Sequence, residues 1–137
     1  MNVKELRSHL QAVRDHPRSH LYCGPPNFAE FACYLDGYNR GLGGELLRVF
    51  QKSLVVMLGG GDEFSWHGLA RSHFLDRTAY DSDVVSLTLE DEHRLIEHTY
   101  DLLDVFLARL DQDGGPELVL KEHDAFRRSV GLPPRRD

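Results

Sequence analysis

Apolar residues return at steps of three and four along most of this chain, the spacing that lines one face of an α-helix. Val3, Leu6, Leu10 and Val13 predict a short amphipathic helix over residues 3–14 that ends before Pro17. Pro25 and Pro26 forbid regular structure in the loop that follows. Asn27 then offers an N-cap to a second helix whose stripe is Phe28, Phe31, Leu35, Tyr38 and Leu42. Gly43 and Gly44 break it, and a third helix carries Leu46, Leu47, Phe50, Leu54, Met57 and Leu58 up to the triple glycine at 59–61. Ser65 caps a short fourth helix with Trp66, Leu69, Ala70 and Phe74.

Between Arg77 and Leu89 the periodicity fails, and the polar run at 78–83 reads as a loop with a brief extended piece at 84–87. Thr88 followed by Glu90, Asp91 and Glu92 is a capped helix start, with acid where the helix dipole favours it. The fifth helix is the strongest element: Leu89, His93, Ile96, Tyr100, Leu103, Leu107 and Leu110 keep the alternation, and Leu95, Leu102 and Phe106 widen the stripe. A last segment, 117–130, places Val119, Phe126 and Val130 on one side. The expected fold is an all-α, single-domain bundle of five to six helices over residues 1–130, with a basic C-terminal tail at 131–137. Short apolar runs are ambiguous by periodicity, so 54–58 and 83–87 also allow a minor two-stranded sheet.

At 137 residues the chain suits one domain, and 41% hydrophobic with 28% charged residues is an ordinary globular balance. No apolar run approaches the ~20 residues of a membrane span, and Lys4, Glu5 and Arg7 stand where a signal peptide needs an apolar region. The expected compartment is the cytoplasm, with no membrane partner. A formal charge of −6 repels phosphate backbones, which argues against nucleic acid. Cys23 and Cys33 read as free thiols, with Cys33 beside the second helix's stripe and therefore buried and inert. Arg127, Arg128, Arg135 and Arg136, near Pro133 and Pro134, read as a solvated end.

Candidate chemistry is sparse. Glu90 and His93 have the Glu-x-x-His spacing of di-metal helical bundles, but those sites need the motif twice and no second copy is present. On the apolar stripe, His93 reads as a hydrogen-bonded core residue. His16 and His20 stand four apart, yet Pro17 and the lack of a following Glu exclude the helical zinc-protease motif. Asp62 and Glu63 precede Trp66-His67 without a nucleophile or oxyanion loop to complete a triad. The glycines at 59–61 lack the Lys-Ser or Lys-Thr of a phosphate loop. No cofactor or metal is expected. The polar face of the fifth helix gathers Asp91, Arg94, Glu97, His98, Asp101 and Asp104, an excess of acid suited to a basic protein partner.

Pro17, Leu21, Gly24, Phe28, Phe31, Leu35, Gly37 and Tyr38 follow a pattern similar to Arg-Pro-x-Met-Tyr-Leu-Gly … Phe-Leu-x-Gly-Tyr. With Ser65-Trp66 and the run from Tyr100 to Phe106, the chain resembles a group of small bacterial proteins associated with toxin–immunity loci. His16 replaces the group's arginine, and residues 19–24 replace its Met-Tyr-Leu-Gly core. The resemblance implies a non-enzymatic immunity protein that binds a cognate toxin stoichiometrically and blocks its basic active site. Glu97, Asp101, Asp104 and Asp91 are the expected contacts, with His20 and Tyr22 of the proline loop next. Gly37, costly in mid-helix, is expected to admit a second backbone. The competing classes are a metal-dependent hydrolase using His and carboxylates of the later helices, and a homo-oligomeric adaptor bundle.

Overall fold

A computed structural model describes residues 2–16, 26–76 and 86–133. They form six helices: α1 (Val3–Asp15), α2 (Phe28–Gly41), α3 (Glu45–Leu58), α4 (Trp66–Phe74), α5 (Leu89–Leu110) and α6 (Gly115–Ser129). No strand occurs among the described residues. Residues 54–58, one arm of the alternative sheet, are the last turn of α3. Their apolar run continues the stripe begun at Leu46 and ends where Gly59 adopts φ +72°, a left-handed cap that returns its N–H to the Val55 carbonyl. Of the other arm, residues 83–85 lie outside the described residues, as does the whole of 77–85.

The expected caps are in place. Asn27 accepts from the Glu30 amide at 2.8 Å, Ser65 from Gly68 at 3.3 Å and Thr88 from Asp91 at 3.1 Å, each satisfying an amide the first turn leaves unpaired. α5 is the axis of the bundle and packs against all five other helices; α3 packs against α2, α4, α5 and α6. The core joins Leu6 and Leu10 of α1 to Phe31, Leu35, Phe50, Leu54, Trp66, Leu69, Leu95, Leu103 and Leu107. Trp66 is its centre. Its ring lies 6.5, 6.4 and 6.2 Å from those of Phe28, Phe31 and Phe50, and its indole N–H donates to Asp36 Oδ1 at 2.9 Å. No described helix is long and apolar enough to cross a membrane.

Several positions depart from expectation for local reasons. Cys33 is exposed, because Phe31, Ala32 and Leu35 take the buried side of α2 and turn position 33 outward. Leu42, Met57, Leu89 and Val130, at or near helix ends, are also exposed. Gly37 faces solvent, and a Cβ built there meets nothing within 4 Å, so it admits no neighbouring backbone. Gly115 has that role. A Cβ there would collide with the Arg109 carbonyl and come within 2.8 Å of Leu110 Cα, so this glycine permits the tight α5–α6 connection. Gly37→Ala is therefore expected to stabilise the protein by about 0.5–1 kcal/mol. A thermal midpoint at or below wild type would show that position 37 has a packing role after all.

Candidate functional site

The outward face of α5 holds the acid that its sequence concentrates, and α1 crosses it. Arg14, in the last turn of α1, donates from Nε to Glu97 Oε2 at 2.8 Å and from Nη2 to Asp101 Oδ1 at 2.9 Å. Its guanidinium also sits 5.3 Å from the centre of the Tyr100 ring. Burial opposes the charge on Arg14, but the hydrogen bonds and fields of the two carboxylates outweigh it and raise its pKa. Two turns earlier, Arg7 donates twice to Asp104 Oδ1, at 3.1 and 3.3 Å. Along α5 itself, Arg94 pairs with Glu90 at 3.0 Å and more loosely with Asp91 at 3.9 Å.

Five carboxylates on this face are thus met by three guanidiniums. Glu97, Asp101 and Asp104 nevertheless keep more than half of their side-chain surface exposed. The structure places the four expected acidic contacts, Asp91, Glu97, Asp101 and Asp104, on one face but also gives each an internal partner. His20 and Tyr22, the other expected contacts, lie outside the described residues. Arg7 and Arg14 escape a reading by apolar stripe because they flank that of α1. Their spacing of seven, two helical turns, is the signal that would have placed both on one partner helix.

Beside the acids opens a wide-mouthed recess of about 500 Å³, lined by Phe74, Glu90, His93, Arg94, Glu97, His98 and Asp101. Its aromatic part comes from α4 as well as α5. Phe74 lies 5.6 Å from His98, and His98 Nε2 stands 2.8 Å from Nδ1 of His73, the two imidazoles stacked at 5.0 Å and 22°. Burial, then the neighbouring His73, lowers the pKa of His98 against an opposing pull from Asp101. His93 is half-buried with Nε2 shielded and unpartnered, so it is not the hydrogen-bonded core histidine expected from the stripe. Glu90 turns to Arg94 instead of joining it as a ligand, and among the described residues no three His, Cys, Asp or Glu side chains converge on a metal position.

A second polar cluster is buried. Asp62, in the loop after α3, accepts from His123 Nε2 at 2.8 Å and from Arg127 Nη1, both on α6. A paired carboxylate only accepts, so Nε2 carries the proton. Gln51 of α3 holds the same loop through the Asp62 and Phe64 carbonyls at 3.0 and 3.1 Å. Asp62 thus meets an imidazole 61 residues away and not that of nearby His67. Arg127, expected in the solvated basic end, is its second partner and also donates to the Pro133 carbonyl at 2.6 Å. With His123 at 0% exposure, this cluster fastens the loop to α6 and offers no face to a substrate.

No family model, curated protein or solved structure matches this chain. The residues on which the expected resemblance rests have structural roles of their own. Phe28, Phe31, Leu35 and Trp66 are core. Tyr38 stacks on His9 of α1 at 4.5 Å and 11°, while His9 Nε2 meets the Tyr34 hydroxyl at 2.9 Å. The motif thereby builds the α1–α2 junction. Pro17, Leu21, Tyr22 and Gly24 lie outside the described residues.

Proposed function

We propose that this protein is a stoichiometric binding protein of the immunity type, which captures a basic bacterial toxin and covers its active site. The observation that carries this reading is the α5 recess: exposed carboxylates of Glu97 and Asp101 border an aromatic and imidazole floor formed by Phe74 and His98. A cationic segment would find acceptors on the rim and an apolar contact beneath, the pairing that gives steering and then retention. The likeness of the α2 motif to the immunity group supports the same reading. The overall charge of −6 favours encounter with a basic surface.

The acids that border the recess are also clasped to α1. Reversing Glu97, Asp101 and Asp104 to Lys together would press three cations against Arg7 and Arg14, so the fold would not remain neutral to the change. The suitable variant is Glu97→Gln, Asp101→Asn, Asp104→Asn, which keeps shape and most hydrogen-bonding capacity. Its association rate with the toxin encoded beside it is expected to fall about tenfold at low ionic strength, with a shallower salt dependence. Capture as fast as wild type by a folded triple variant would move the contact elsewhere. No binding of that toxin by wild type would remove the immunity reading.

The adaptor alternative has one observation of its own. An apolar cleft of about 130 Å³ lies between α3 and the later turns of α5, beside exposed Met57 and Val105. Sedimentation at micromolar concentration separates a monomeric inhibitor from such an oligomer.

A further inference from the structure

The contact between His73 and His98 obeys a strict proton count. One nitrogen must donate and the other accept, so the 2.8 Å approach of Nδ1 to Nε2 exists with both rings neutral or with one charged. With both charged there is no acceptor left, and two like charges face each other across a ring stack of 5.0 Å. The first proton is tolerated; the second is not.

The surroundings make the second proton still harder to hold. On α5, Arg94 and His93 stand in the same recess as His98, together with Glu90, Glu97 and Asp101. Glu90 is paired to Arg94, while Glu97 and Asp101 are paired to Arg14, the group that α1 brings to this face. From α4 come His73 and the uncharged ring of Phe74. Asp76, whose amide donates to the His73 carbonyl at 3.2 Å, follows at the end of α4. Among the described residues of the recess, a doubly charged pair would have for counter-ions carboxylates already engaged by arginine.

We propose that the His73–His98 pair is a proton-operated latch between α4 and α5, closed at neutral pH and opened by mild acid, which makes the recess release a basic partner on acidification. The release step rests on the function proposed above; the latch itself does not. Opening would loosen the Phe74 side of the recess and put positive charge where a cationic segment is held. The direction agrees with the lowered pKa of His98, whose first cause is burial and second His73. For a histidine whose folded pKa lies below the ordinary 6.5, stability is fully present above 6.5 and is lost as pH falls below it, because the unfolded chain takes up the proton first.

The test uses the full chain and a non-titrating mimic, His73→Asn with His98→Gln, whose amides stand in for Nδ1 and Nε2 and retain one hydrogen bond. Between pH 7.5 and 5.0 the melting temperature of wild type should fall about 3–6 °C further than that of the mimic. Imidazole NMR should show His98 taking up its proton below the ordinary 6.5. Equal pH slopes in the two proteins, or His98 titrating at the ordinary 6.5, would overturn the latch. So would zinc chloride at micromolar concentration raising the melting temperature of wild type alone at pH 7.5, since the pair would then be a metal clamp. If the mimic itself fails to fold, the NMR titration of wild type still decides. With toxin, dissociation should accelerate about tenfold per pH unit in wild type and much less in the mimic. A latch seen in melting and NMR without any toxin binding would leave the latch standing and sink only the function.

Discussion

Asp62→Ala is expected to cost about 3–5 kcal/mol of folding stability, because it removes one member of a buried charge cluster and leaves the others in place. The Arg127 side chain is 12% exposed and that of His123 is fully enclosed, so neither can recover its lost acceptor from bulk water without opening the α3–α6 packing. Against a total of roughly 5–15 kcal/mol for a domain, such a loss is a large fraction. Asp62→Asn should cost less, since the amide oxygen still accepts one hydrogen bond. Urea unfolding of the two variants measures both. A midpoint for Asp62→Ala within error of wild type would mean that the loop and α6 are not fastened to each other.

The second large effect is expected at the centre of α5. Leu103 and Leu107 are each 1% exposed, on the helix that touches every other element. Replacing either with Ala should cost about 2–5 kcal/mol, through lost transfer energy and the cavity left behind. Helices from several directions line the site, so collapse to fill the void is poor and the upper half of the range is expected. Calorimetry gives the value. A melting temperature unchanged by both substitutions would make α5 peripheral and the bundle incorrectly assembled.

Local structure was largely legible in the chain. The stripes of α1, α2 and α5 and the caps at Asn27, Ser65 and Thr88 depend on residues within a few positions of each other, and all are present apart from the exposed stripe ends Leu42 and Leu89. The ambiguous run at 54–58 resolves as helix only when read with the turns before it. What was not legible is pairing across distance. Nothing local in Arg14 points to Glu97 and Asp101, 83 and 87 positions on, and nothing in Asp62 points to His123. The acidic face, which its own sequence presents as an excess of acid for a basic partner, has part of its charge occupied by α1. Gly37 and Gly115 show the same limit: the mid-helix glycine expected to admit a second backbone faces solvent, and the one under steric demand sits in an ordinary Gly-Gly-Pro turn.

The Asp62 fastening also carries a consequence for the order in which the protein comes into being. A chain made from its N-terminus exposes Asp62 well before α6, and its imidazole partner follows 61 residues later. At roughly 5–20 residues per second that is an interval of about 3–12 s, during which α3 has its loop carboxylate but not the helix that encloses it. The first four helices must wait, solvated on one side, for the chain's later arrival. Ribosome pausing between Asp62 and His123 would lengthen that exposure, and the cell's holding chaperones would be the first to register it.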